Sequence, residues 1–162
     1  MAVVSNEERN LNYDNFIDRL DIEMQRAKRY GRVVSLLIIS IDGADKSHDI
    51  VPKSFLLEFT RTVLDQARTV DITVTISSEE FALILPETPF DNAKLAAERI
   101  RKAIEEHTFE ENDGKKQITV SVGVASYPEH SSDTNELARR AEQSCSNAKA
   151  KGGNAVCTAS EL

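Results

Sequence analysis

No stretch of this 162-residue chain is apolar for long enough to span a bilayer, since unbroken runs such as Leu36 to Ile39 fall far short of the ~20 residues required. Residues 1–10 (MAVVSNEERN) lack the basic start and apolar stretch of a signal peptide. A cytoplasmic protein without membrane insertion is expected. Cysteine is scarce: Cys145 and Cys157 are the only two, outside any CxxC or zinc spacing, and read as reduced, buried structural thiols. Positive charge is in deficit, with 20 Lys and Arg against 27 Asp and Glu and a net charge of -7. That field repels polyanions and excludes DNA, RNA or an anionic membrane as a non-specific partner, while leaving room for a small nucleotide on a local arginine cluster. Glycine is missing where a tight turn would want it, in the segment 76–85 (ISSEEFALIL), which reads as a β-hairpin with an acidic tip.

What is present suffices for one domain with a single core, burying roughly two-thirds of its unfolded surface. Phe16, Leu20, Met24 and Ala27 recur at helical spacing in a helix that starts near Tyr13 and ends near Gly31. The run 33–41 (VVSLLIISI) predicts a buried central strand, and 42–52 a loop at its carboxyl end. Phe55, Leu56, Phe59, Val63 and Ala67 define a second helix, ending around Arg68. Ile72, Val74 and Ile76 alternate with threonines as a half-buried strand that turns through Ser77 to Glu79 into Phe81 to Leu85. A third helix carries Ala93, Ala97, Ile100 and Ile104; a loop covers 110–116; a strand covers 118–125. Asp133 and Glu136 suggest a capping box opening a last helix through Leu137, Ala141, Cys145 and Ala148, stopped by Gly152 and Gly153 before a short strand. The expected fold is an α/β sandwich: a mixed, mostly antiparallel β-sheet covered by helices. The expected organisation is a leader or linker over 1–12, the domain over 13–158 and a tail over 159–162.

Four pieces in this order and spacing, RAKRYGRVVSLLIISID, RTVDITVTISSEEFALILPET, ITVSVGVASYPE and ARRAEQSCSNAKAKGGNAV, resemble the GGDEF domain of diguanylate cyclases. The resemblance extends from about Asn12 to Cys157 and implies the nucleotidyl-cyclase-like fold. Active members join two GTP molecules into cyclic di-GMP across two facing domains, with Mg²⁺ or Mn²⁺ on carboxylates neutralising charge on the phosphoryl oxygens. Here the signature pentapeptide reads Ser77-Ser78-Glu79-Glu80-Phe81, with both glycines gone, and Ser40 stands at the first aspartate of the family's Asp-x-Asp, leaving Asp42. A hydroxyl cannot supply the missing charge. Non-glycine residues forced to positive φ at a tight tip would cost about 1–2 kcal/mol, so another turn geometry is expected.

In the shortened loop that follows, His48 and Lys53 stand roughly where guanine-reading asparagine and aspartate are expected, and Asp45 where a phosphate lysine is expected, with Lys46 one residue on. Lys149 matches a phosphate-contacting lysine, and Gly153 replaces a nearby arginine. The resemblance therefore implies Glu79 and Glu80 as catalytic remnants, Lys46 and Lys149 as phosphate-binding remnants, and Asp42 with Glu79 as the carboxylates left for a metal. No cofactor is expected, with Mg²⁺ only if nucleotide binding persists.

Arg68-Thr69-Val70-Asp71, six residues before the turn, resembles the family's RxxD inhibitory site for cyclic di-GMP, and Arg99 aligns with an arginine that closes over that ligand. A guanidinium can bond guanine O6 and N7, and a carboxylate can accept from N1–H and N2–H. The competing readings are a surface ion pair for Arg68 and Asp71, and a solvated helical face for Glu98 to Lys102. His48, His107 and His130 read as isolated, solvent-facing histidines. The leading expectation is a catalytically inactive signalling domain, either a cyclic di-GMP receptor or a protein-interaction module, whose partners would be cyclic di-GMP, a second copy or another protein. The alternatives are a weak diguanylate cyclase using Asp42, Glu79 and Glu80, and a structural domain without nucleotide.

Overall fold

The computed structural model describes residues 6–43, 53–111 and 114–162. The elements run α1 (Asn6–Tyr30), β1 (Val34–Ile41), α2 (Lys53–Asp65), β2 (Ile72–Thr75), β3 (Glu80–Pro86), α3 (Phe90–Glu106), β4 (Phe109–Glu111), β5 (Gly114–Lys116), β6 (Val120–Tyr127), α4 (Thr134–Ala150) and β7 (Ala155–Thr158), closed by a 3₁₀ turn, Ala159–Glu161. Five strands form one sheet in the order β2-β3-β1-β6-β7, and β4-β5 form a separate hairpin. Pairing is antiparallel except between β6 and β7. The expected α/β sandwich with a mixed, mostly antiparallel sheet is the fold observed.

Each residue of β1 is buried, because β1 is central and both sheet faces are covered. Alternation sends Leu37, Ile39 and Ile41 into one core with Phe55, Phe59, Ala97 and Ile100 of α2 and α3. Leu36 and Ile38 go into the other, with Phe16, Leu20 and Met24 of α1 and Leu137 and Ala141 of α4. Cys145 and Cys157 are both free and buried.

Several local expectations give way. Helix α1 begins at Asn6, upstream of the apolar periodicity. The loop assigned to 110–116 is part of the β4-β5 hairpin, whose three-residue strands are too short for any period to register, and its anchor is Phe109, fully buried against Phe55 at 5.0 Å between ring centroids. The capping box does not form. Asp133 is the N-cap but makes no side-chain cap bond, and Glu136 instead accepts from Arg139 and Arg140 at 2.6–2.9 Å. Two guanidiniums outcompete one neutral N–H for the carboxylate and hold its pKa down at about 2. Nor is Arg101 a solvated residue: only 17% exposed, it pairs with Glu98 and Glu105 and donates to Asn154 Oδ1 at 2.8 Å, tying α3 to the turn before β7.

His107 and His130 are likewise engaged rather than turned to solvent. His107 Nε2 lies 2.7 Å from Glu58 Oε1, with its ring against Phe109. His130 Nδ1 accepts the Ser126 N–H at 2.9 Å, which makes Nε2 the protonated nitrogen and the donor to Ser160 Oγ at 2.8 Å. A neutral imidazole with that tautomer cannot take a proton from Ser160, so the pair is a tether and not a nucleophile with its base. Burial, aided by Arg140 and opposed by Glu129, pushes the His130 pKa below its ordinary 6.5. The neutral form therefore belongs to the folded state, and its contribution is complete above the unfolded value and is lost as pH falls through the folded one. Urea midpoints measured between pH 8 and 5 should drop on the acidic side, and the drop should be smaller in His130→Gln; equal slopes in the two proteins would remove this account.

Candidate functional site

Two places gather the residues singled out by the sequence. The first is the carboxyl end of β1. Ser40 pairs with Glu80 of β3 on one side and Ser121 of β6 on the other. Strand alternation puts these three on the α1-α4 face, opposite Ile39 and Phe81. Burial raises the pKa of Tyr13, with a hydrogen bond to Glu142 and its charge adding to the shift and Glu80 contributing least; the charge of Glu80 also raises Cys145. Burial is the main cause of the Cys145 shift, to about 12, with Lys149 on the same helix pulling the other way.

The tip between β2 and β3 is wider than a two-residue turn. Thr75 pairs with Phe81, and the Ile76 and Ser77 N–H groups both donate to Glu80 O, at 2.9 and 3.0 Å. Ile41 N–H reaches across to Glu79 O at 2.8 Å, and Ser77 Oγ accepts Glu79 N–H at 3.3 Å. No residue from 76 to 80 has positive φ. The serines sit in a turn that asks no residue for positive φ, as their lack of conformational freedom demands.

Asp42 sits one residue past β1 with its carboxylate turned to the β6 side. Oδ1 accepts Ser121 Oγ–H at 2.6 Å, and Oδ2 accepts Thr119 Oγ–H at 2.6 Å and Asn154 N–H at 2.8 Å. Gly153, at φ +78°, lies so close that a Cβ there would stand 2.9 Å from Asp42 Oδ2. Neither Asn154 nor Thr119 could be singled out in advance, since nothing local in the sequence marks them as partners of residue 42. Asp45, Lys46 and His48 lie outside the described residues, as does the side chain of Lys53.

The second place is a cleft of about 210 Å³ between α3 and the segments flanking β2 and β3, lined by Arg68, Asp71 and Arg99 among others. Arg68 Nη2 bonds Asp71 Oδ1 at 3.1 Å and Pro86 O at 2.8 Å, and also reaches Thr88 Oγ1. Asp71 Oδ2 accepts the Arg68 N–H at 2.8 Å. The Arg68 side chain remains 53% exposed while that of Asp71 is only 3% exposed, so the carboxylate holds the arginine and the arginine faces out. Thr88 is fixed in turn, because Ser35 Oγ donates to its carbonyl at 2.6 Å and lies 2.6 Å from Ser126 Oγ. Thr88 and Pro86 were not anticipated: they follow Arg68 by 20 and 18 residues, and only the β2-β3 pairing brings them to it. Arg99 stands exposed on α3 at the same cleft. Arg68 also borders a larger groove of about 400 Å³ whose rim includes Arg26, Arg32 and Glu87.

Among the described residues no helix is long and apolar enough to cross a membrane. The family described as diguanylate cyclase, GGDEF domain, matches residues 11–155. The response regulator PleD of Caulobacter vibrioides is 32% identical over 144 residues, which are 85% of this chain and 32% of PleD. The chain thus spans about a third of the length of that relative. Among solved structures, the GGDEF domain of YfiN (TpbB) from Pseudomonas aeruginosa superposes with a TM-score of 0.81 at 21% identity, covering 90% of this chain and 93% of that one. The active GGEEF domain of a diguanylate cyclase from Vibrio cholerae gives 0.74 at 26% identity, covering 85% and 89%. With residues 11–155 matched to the family and a fold that superposes on solved GGDEF domains, the chain belongs to the diguanylate cyclase GGDEF domain family.

Proposed function

We propose that this domain is a receptor for cyclic di-GMP in signal transduction, and that it does not make the dinucleotide. One observation carries the reading: Arg68, braced by Asp71, Pro86 and Thr88, faces a cleft that Arg99 also lines. Every bond that anchors the guanidinium goes through Nη2, leaving Nη1 and Nε to address a ligand. Nη1–H and Nε–H lie on different edges of the group, and each can make a single charge-assisted bond to guanine O6 or N7 or to a phosphate oxygen. Asp71 serves by orienting Arg68, since its carboxylate is already enclosed. The cleft is open to solvent and is read as the seat of one guanine of the dinucleotide. The second guanine is left outside, where a second copy or a partner protein can cover it.

The opposite end of the sheet supports the inactive half of the proposal. Ser40 brings no charge to the position from which the family's aspartate holds a metal, and the tip carries serines where the family signature has glycines.

Calorimetric titration with cyclic di-GMP should give saturable heat, and Arg68→Ala should weaken binding by about 10–100-fold, the loss of a charge-assisted hydrogen bond. No heat at high micromolar ligand would remove the receptor. GTP incubated with Mg²⁺ and concentrated protein should be recovered intact; chromatographic appearance of cyclic di-GMP would establish the weak cyclase instead.

A further inference from the structure

The family relationship implies a divalent cation on carboxylates at the end of β1, and Ser40 and Asp42 do not fit one. A Mg²⁺ or Mn²⁺ ion needs anionic oxygens free to turn their lone pairs toward it. Ser40 offers a nearly buried hydroxyl, at 7% exposure. Asp42 keeps its charge, but both oxygens are already bonded to protons of the protein. Ser121 Oγ–H takes Oδ1 at 2.6 Å; Thr119 Oγ–H and Asn154 N–H take Oδ2 at 2.6 and 2.8 Å; and the Asp42 N–H is fixed to Thr119 O at 3.0 Å. Those donors come from the start of β6 and from the turn between α4 and β7, so two separated parts of the chain converge on a carboxylate carried by a third. Among the described residues, no group of three His, Cys, Asp or Glu side chains is arranged to hold a metal ion.

We propose that Asp42 is an internal latch and not a cation ligand: protein donors satisfy its charge, and the latch fastens the end of β1 to β6 and to the α4-β7 turn. Gly153 is part of the same device. An ideal Cβ on it would meet Asp42 Cγ and Oδ2 at 2.9 Å and Oδ1 at 3.0 Å, so any side chain at 153 competes with the latched carboxylate for the same space. Asn154 completes the turn at φ +49°, a left-handed conformation that asparagine tolerates better than most residues, with its N–H aimed at Oδ2. Short, charge-assisted hydrogen bonds of this kind are about twice as strong as neutral ones. The latch deepens the inactive half of the function proposed above and is independent of the Arg68 cleft, so failure of cyclic di-GMP binding would leave it standing.

Mn²⁺ is the probe. In the wild-type protein, millimolar Mn²⁺ should leave the melting temperature unchanged and should not selectively broaden the amide signals of Ser121 and Asn154. Without metal, Asp42→Asn should lower the melting temperature by about 4–8 °C, because only one of two oxygens remains to accept and the hydrogen bonds lose their charge assistance. Gly153→Ala should cost less in an Asp42→Ala background than in the wild type, since the clash it creates is then gone. Saturable Mn²⁺ broadening at those amides, a metal-induced rise in melting temperature, an Asp42→Asn protein as stable as wild type, or additive effects of Gly153→Ala and Asp42→Ala would each overturn the latch.

Discussion

Gly123→Ala should destabilise the domain by at least ~3 kcal/mol, above the usual cost of an added core methyl group, because this methyl would meet backbone and not a side chain that can swing away. Gly123 is mid-way along β6, and α4 lies directly on it. A Cβ there would stand 2.0 Å from Ala141 O, 2.4 Å from Cys145 N and 3.0 Å from Cys145 Cα. The approach is fixed from both sides: Ser121 O is 3.3 Å from Cys145 Sγ, and Ala138, Ala141 and Cys145 are all buried in the core beneath. Relief requires α4 to move off the sheet, which exposes Leu137 and uncouples the α1-α4 layer. Against a typical total of 5–15 kcal/mol, the loss would be visible as a large fall in urea midpoint. A midpoint equal to wild type would mean that α4 rides higher over β6 than this geometry has it.

That contact also shows where sequence reading reaches its limit. The strand around Gly123 is legible because Val120, Val122 and Val124 alternate into the α2-α3 core, and α4 is legible from the spacing of Leu137, Ala141 and Cys145. What brings the two together is the absence of a side chain at 123, and in a sequence one glycine looks like another. The same holds for the functional candidates. Arg68 and Asp71 lie three residues apart and their bond follows from local geometry; the brace from Pro86 and Thr88 depends on strand pairing. The Asp42 latch joins residues separated by 77, 79 and 112 positions, with no periodicity to mark it. Residue 42 reads as a remnant metal ligand on charge alone, and charge does not say which donors will be nearby once the chain has folded. The β4-β5 hairpin is illegible for another reason: its alternation has no length, and Phe109, buried against Phe55, is its anchor in the core.

Phe81, the last residue of the altered signature, is predicted to matter more for stability than the acids beside it. It is 2% exposed and its ring lies 4.8 Å from that of Phe59, which in turn neighbours Phe55 at 6.5 Å and Phe109 at 6.4 Å. Strand alternation separates the roles along β3: Glu80 points to the face of Ser40, whereas Phe81 enters the α2-α3 core opposite Ile39. The aromatic ring is thus packing material, and its presence says nothing about turnover. Phe81→Ala should cost roughly 3–5 kcal/mol, combining lost burial with a cavity that α2 can only partly close. Phe81→Leu should cost less than about 1.5 kcal/mol, since most of the volume is kept. Because β2 pairs only with β3, the alanine variant should also expose the tip, read as faster hydrogen exchange at the Ile76 and Ser77 amides that now donate to Glu80 O. Denaturant unfolding decides the matter. A loss below ~1 kcal/mol for the alanine variant would show that the cluster around Phe59 closes without Phe81, and the tip would then owe its path to the acids and serines themselves.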